Sequence, residues 1–473
     1  MKDPTPTLPA SRGLFCNRTL NLRGVRSIGY DMDYTLIHYF VDAWERAAFE
    51  HAREVLADDG WPVADLTFDP TAFTLGLTFD LDLGNLVKAT RFGYAVRAQH
   101  GSSPLSFKAL RDTYYGTVVE LGEDRFEFMN TLFELSRAAL WCQLIDLHDQ
   151  TPLPGITSYA HLYRAIDHAL GTVHQDGSLK AAIVADPERF VDVDPGIVPT
   201  LQDQRLAGKQ LLLITNSEWS YTQFMMSWSF DQFMPEGETW RDLFDVVIVA
   251  AAKPRFFSEV GPIYEVVDEE RGLLEPHRGP LESGTVYHGG NARMVEQSLG
   301  HDPSQFLYVG DHLFGDVHVT KDLLRWRTAL IARELEAEVE AAADFTDQSH
   351  ALSDMMVEKI ERERTHSRLR LARRRRVVAE EPHSKLDAEV EAAAAAVSEI
   401  DERIAPVARA ATEQGNEAWG PLMRAGVDKS LFARQVEKYA DVYTSRVSNF
   451  RAETPYGYLR AARGSLPHDA ATP

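Results

Sequence analysis

Two aspartates one residue apart, Asp31 and Asp33, sit in Ile28-Gly29-Tyr30-Asp31-Met32-Asp33-Tyr34-Thr35-Leu36. A carboxylate can attack phosphorus or hold a cation, and a second carboxylate nearby can give and take a proton. The stretch 25–30 ahead of them reads as a buried strand. Strand ends are where open α/β sheets place their ligands. The plain alternative is a strand ending in a polar turn. Three later stretches weigh against it. Apolar runs end at Thr215-Asn216-Ser217, at Lys253-Pro254, and at Gly310-Asp311 followed by His312-Leu313-Phe314-Gly315-Asp316. The order is a carboxylate pair, a hydroxyl, an ammonium and a second carboxylate pair. Taken singly, Thr215 reads as a turn residue, Lys253 as a surface lysine and Asp311 as a helix cap. Taken together in this order, they suit phosphate and metal chemistry.

The elements that would position these groups alternate strand and helix through 327–331, as a parallel, doubly wound α/β sheet of Rossmann type does. Residues 42–57 and 198–207 read as helices. The stretch between the first and second motifs is far too long for a connection within a sheet, so residues 59–190 read as an inserted α+β cap. Alternating apolar residues over 66–88 suggest strands with a turn at Leu83-Gly84-Asn85, and 126–147 and 159–170 suggest helices. Residues 258–286 show no periodic pattern. Residues 335–414 are rich in Ala, Glu and Arg, and Pro382 divides them into a long helical pair. Within it the run Arg373-Arg374-Arg375-Arg376 reads either as an anion site or as a solvated face neutralised by nearby glutamates. The expected organisation is therefore core 14–58, cap 59–190, core 191–334, helical hairpin 335–414 and a segment 415–467 packing back on the core. Residues 1–13 and the end after Pro467 read as loose tails.

Composition bounds the rest. The chain has 473 residues, enough for two or three domains, with 44% hydrophobic and 25% charged residues. Lys and Arg number 49 against 71 Asp and Glu, a net charge of −22. That argues against non-specific nucleic-acid binding. An anionic substrate must then be drawn in by local positive groups. Two cysteines make no disulfide framework, no Cys/His cluster suggests zinc, and no apolar run is long enough to span a membrane. A cytoplasmic protein with no membrane partner is expected.

The ordered motifs resemble those of the haloacid dehalogenase (HAD) superfamily, in its phosphatase branch. More narrowly, 31–36, 214–217, 253–257, 308–316, 419–424 and 432–441 resemble the cytosolic purine 5′-nucleotidase family. The resemblance implies a HAD-like fold and a Mg²⁺-dependent 5′-nucleotidase acting on purine nucleoside monophosphates, with passage of phosphate to a nucleoside as a further activity. It implies that Asp31 is the nucleophile and Asp33 the general acid and base. Thr215, with the N–H groups of Asn216 and Ser217, would hold the phosphoryl group, and Lys253 would bind nucleophile and phosphate. Asp31, Asp33 (through its backbone carbonyl), Asp311 and Asp316 would hold Mg²⁺. In the cap, Phe133 would stack on the base and Asp167 would recognise it. There the chain departs from the family, with Glu134 for an Asn and Tyr163 for an Arg. A different small phosphate ester is thus a second reading, and a helical scaffold with vestigial chemistry a third. The family also implies a homo-oligomer.

Overall fold

The structure is a computed structural model that describes residues 8–175 and 177–462. The tail expected after Pro467 and residues 1–7 lie outside these. Described residues within Met1–Glu336 and Leu422–Pro473 form one compact unit, and Ala337–Pro421 form another.

The first unit is built on a ten-stranded sheet. Its centre is parallel: in spatial order Val442–Thr444, Arg327–Ile331, Phe306–Gly310, Ser27–Tyr30, Gln210–Ile214, Val246–Val249 and Thr285–Gly289. The inner strands are apolar runs buried on both faces, as helix-covered parallel strands must be. After Ser27–Tyr30 the chain builds one side of the sheet, then returns to build the other. The switch point therefore falls at the end of that strand. Register aligns the exits, with Tyr30 beside both Leu213 and Val309. Gly29 makes this packing possible, since a Cβ there would lie 2.9 Å from the Tyr308 ring.

Local expectations are corrected at four places. Residues 258–286 contain the antiparallel strands Ile263–Asp268 and Leu273–Pro276, which extend one edge of the sheet. Their pattern eluded a period count because Leu273–Pro276 is exposed throughout. The helix expected over 126–147 begins only at Leu135, because Phe126–Phe128 forms a strand with both Phe side chains buried and Glu127 exposed. Residues 8–13 are not loose: Arg12 Nε donates to Asn449 Oδ1 at 2.9 Å and its Nη2 to Ser448 Oγ at 2.7 Å.

The inserted segment holds a five-stranded antiparallel sheet of Ser103–Pro104, Ala95–His100, Asn85–Ala89, Thr78–Asp80 and Phe126–Phe128. The alternation ahead of Thr78 makes no strand. Gly76 there takes positive φ and lies against Phe432. Helices Leu135–Gln150 and Tyr159–Gln175 complete the segment. Buried Asp80 braces the sheet, accepting from Arg125 Nε and Nη2 at 2.8 and 2.7 Å and from the Tyr114 hydroxyl at 2.9 Å. In the second unit, Thr346–Val378 and Ser384–Thr412 are the long helical pair. No helix among the described residues is long and apolar enough to cross a membrane.

Helix Val41–Asp58 meets the inserted helices through Glu45, which is fully buried and accepts from the Ser136 N–H at 2.7 Å. Burial pushes its carboxyl up to about 7. A carboxyl raised in the folded state is protonated in both states at low pH. Above about 4.3 the unfolded chain ionises first, so stability falls until the folded group also ionises near 7. Glu45→Gln is expected to remove roughly 3–4 kcal/mol of the fall between acidic and neutral pH, measured by urea unfolding at both. Identical pH dependence in variant and wild type would contradict this.

Candidate active site

At the carboxyl end of the central strand, a single ammonium lies between two carboxylates. Lys253 Nζ is 2.7 Å from Asp31 Oδ1 and 2.9 Å from Asp316 Oδ1, with all three side chains largely buried. Lys253 also donates to the Tyr308 hydroxyl at 3.1 Å, which in turn donates to the Ile214 carbonyl at 3.2 Å. The lysine backbone is pinned from the Thr215-Asn216 turn: its N–H donates to Asn216 Oδ1 at 2.6 Å and its carbonyl accepts from Asn216 Nδ2 at 3.1 Å. The hydroxyl motif and the lysine motif are thus joined directly.

Asp316 reaches the cluster through local backbone shape. Gly310-Asp311 ends its strand, and Leu313–His318 forms a wide π-type turn. Such turns recur at functional sites. His312 caps it, its Nδ1 accepting from the Gly315 N–H at 2.7 Å. The turn folds Asp316 back over Gly310, where an added Cβ would lie 2.5 Å from Asp316 Oδ2. Only glycine fits there.

Asp31, Asp311 and Asp316 converge, with one oxygen of each within 4.8 Å of the others. Burial, opposed by Lys253 and reinforced by Asp316, pushes the Asp31 carboxyl up to about 7. Asp311 is raised well above the usual carboxylate range by burial and by Asp31 and Asp316. Three carboxylates share one ammonium, so the cluster is short of positive charge. A hard divalent cation fits this all-oxygen set. The Asp33 carboxylate is not part of this set. It accepts from the Tyr39 hydroxyl at 2.6 Å and the Ser217 hydroxyl at 2.8 Å, which hold it apart from the cluster. Buried Thr215 accepts at Oγ1 from the Ser217 N–H at 3.1 Å and keeps its own proton to donate.

The chain matches the 5′ nucleotidase family model over residues 14–471. It belongs to the 5′ nucleotidase family. It is 28% identical over 477 residues to human 5′-nucleotidase domain-containing protein 2, covering 97% of this chain and 85% of that protein. A 5′-nucleotidase domain-containing protein of Dictyostelium discoideum is 27% identical over 496 residues, covering 98% of this chain and 76% of that protein. Among solved structures, an archaeal β-phosphoglucomutase from Pyrococcus sp. strain ST 04 aligns with a TM-score of 0.31 and 9% identity, over 65% of this chain and 86% of that one. This member of the 5′ nucleotidase family is a phosphoric monoester hydrolase.

The inserted segment reaches the cluster through Thr131, whose hydroxyl donates to Asp311 Oδ2 at 3.3 Å. Phe133 follows, edge-on to Tyr34 at 4.6 Å and to Trp44 at 5.3 Å between ring centres. Asp167 stands apart from the carboxylate cluster. Its partner is Arg137, which donates to it at 2.7 Å, to the Tyr163 hydroxyl at 2.9 Å and to Glu134 at 3.3 Å. Sequence reasoning gave no role to Tyr39 and Arg137, nor to Thr131 and Tyr308 within the motifs that contain them. Only Tyr308 had a signal: Gly29 in a buried strand marks a close approach by a neighbour.

Lys253→Met leaves Asp31 and Asp316 facing each other without a buried cation. Unfolding without divalent metal is expected to show a loss of about 3–5 kcal/mol, partly regained when Asp316→Asn is added. Unchanged stability in the single variant would contradict this reading of the cluster.

Proposed function

We propose that this phosphoric monoester hydrolase is a Mg²⁺-dependent 5′-nucleotidase acting on purine nucleoside 5′-monophosphates through an aspartyl-phosphate. The observation that carries the reading is Lys253 bridging Asp31 and Asp316 while Tyr39 and Ser217 hold Asp33 apart. Two carboxylates from one strand end then have two environments, as a nucleophile and a general acid require.

An Asp31 carboxylate oxygen attacks phosphorus, and the bond from phosphorus to the 5′ oxygen breaks. Asp33 gives its proton to that leaving oxygen, which departs as the nucleoside hydroxyl. Asp33 then takes a proton from water, which attacks the phosphorus of the aspartyl-phosphate. The bond to Asp31 breaks, inorganic phosphate leaves and Asp31 is restored. Where a second nucleoside takes the place of water, the phosphoryl group passes to it instead. Thr215 and the Asn216 N–H donate to the phosphoryl oxygens, and Ser217 orients Asp33. Lys253 supplies fixed positive charge where negative charge gathers. Mg²⁺, held by Asp31, Asp311, Asp316 and the Asp33 backbone carbonyl, would neutralise phosphoryl charge when bound.

In the cap, Phe133 is the ring on which a base would stack, and Asp167 with Arg137, Glu134 and Tyr163 offers donors and acceptors for its edge. Arg137 puts a guanidinium beside Asp167 although Tyr163 stands where the family has arginine, and this supports a purine substrate.

Phosphate release from IMP, GMP, AMP and a panel of sugar phosphates tests the reading, with and without EDTA. A purine monophosphate is expected to lead the panel, EDTA to abolish release, and Asp31→Asn to lower turnover at least ~10³-fold with the fold retained. A sugar phosphate outrunning every nucleotide would overturn the substrate, and unchanged turnover in Asp31→Asn the nucleophile.

A further inference from the structure

The helical pair carries a surface that the hydrolase reading does not use. Helix Thr346–Val378 packs one side against Ser384–Thr412, where Lys359 pairs with Asp401 at 2.6 Å, Arg362 with Glu399 at 3.2 Å, and Arg373 with Asp387. Five large apolar residues on the same helix are exposed: Met356, Val357, Ile360, Leu371 and Val378. At 100° per residue they fall within an arc of about 100°, turned away from the paired side. The positions 357, 360, 364, 367, 371, 374 and 378 step by three and four. This is the heptad spacing of a helix seam, and it runs for ~30 Å.

Charge along this helix is divided. Asp347, Asp354, Glu358, Glu361 and Glu363 all precede residue 364, and seven arginines with no acidic residue follow between Arg364 and Arg376. Arg373 is neutralised by Asp387, and Arg364 pairs with Glu361 in the same exposed turn. Arg368 and Arg370, which flank the seam, have no ion pair among the described residues. The alternative of an arginine face neutralised by nearby glutamates therefore holds for only part of the run.

We propose that this face is covered by the same face of a second copy of the chain, packed antiparallel. Ile360 then meets the second copy's Leu371. On one flank Glu361 faces the second copy's Arg368, and on the other Glu363 faces its Arg370. Two-fold symmetry makes each match twice, as a self-complementary interface requires. A parallel pairing stacks Arg374 on Arg374 in the seam and sets Arg370 beside the second copy's Arg375, which like charges oppose. Two hairpins joined this way form a four-helix arrangement.

Light scattering on the full chain at micromolar concentration tests this. The mass is expected to be an even multiple of the single chain's. Ile360→Asp with Leu371→Asp is expected to halve it, leaving helical circular dichroism and phosphate release unchanged. Glu361→Arg with Glu363→Arg should also halve it, and adding Arg368→Glu with Arg370→Glu should restore it. A wild type of single-chain mass, or a mass unmoved by the aspartates, overturns the proposal. Splitting without rescue by the charge swap overturns the antiparallel pairing. A single-chain wild type that binds phosphatidylserine vesicles through these residues assigns the face to a membrane instead.

Discussion

Everything at the carboxyl end of the sheet is arranged around one buried ammonium. Lys253 lies within ion-pair distance of two carboxylates that arrive from strands on either side of the switch point, Asp31 from the central strand and Asp316 from the turn after its neighbour. Such a triad is costly to bury unless each charge is compensated. Here the balance remains one-sided, because Asp311 adds a third carboxylate to the same oxygen cluster. The fold thereby holds open a demand for further positive charge at the mouth of the sheet. A divalent cation would meet that demand.

The rest of the core serves this geometry. Gly29 lets the Tyr308 ring cross the central strand, and Tyr308 fixes the lysine from below. Asn216 fixes the same lysine from the adjacent turn. Gly310 admits Asp316. Each of these residues touches another member of the cluster, so a substitution at any one of them moves several groups together.

Much of this was legible in the sequence, for a physical reason. Strands buried on both faces must be apolar runs, and polar residues suited to phosphate chemistry stand out where such runs end, as at Asp31, Thr215 and Asp311. What was not legible depended on tertiary partners. Nothing local marks Tyr39 as the residue that holds Asp33, or Arg137 as the cation that joins Glu134, Tyr163 and Asp167 across two helices. The edge strands Ile263–Asp268 and Leu273–Pro276 escaped notice because one is wholly exposed and neither alternates cleanly. The strand Phe126–Phe128 ran into a helical apolar pattern and was absorbed by it.

The account turns on where a cation and a phosphoryl group bind. Crystals of the protein soaked with Mn²⁺ and a trigonal phosphate mimic, read by anomalous scattering, address this directly. The expected result is one Mn²⁺ peak on the oxygens of Asp31 and Asp311, with the mimic between Asp31, Thr215 and the Lys253 ammonium. A metal bound elsewhere, or a mimic beyond reach of Lys253, would contradict the account.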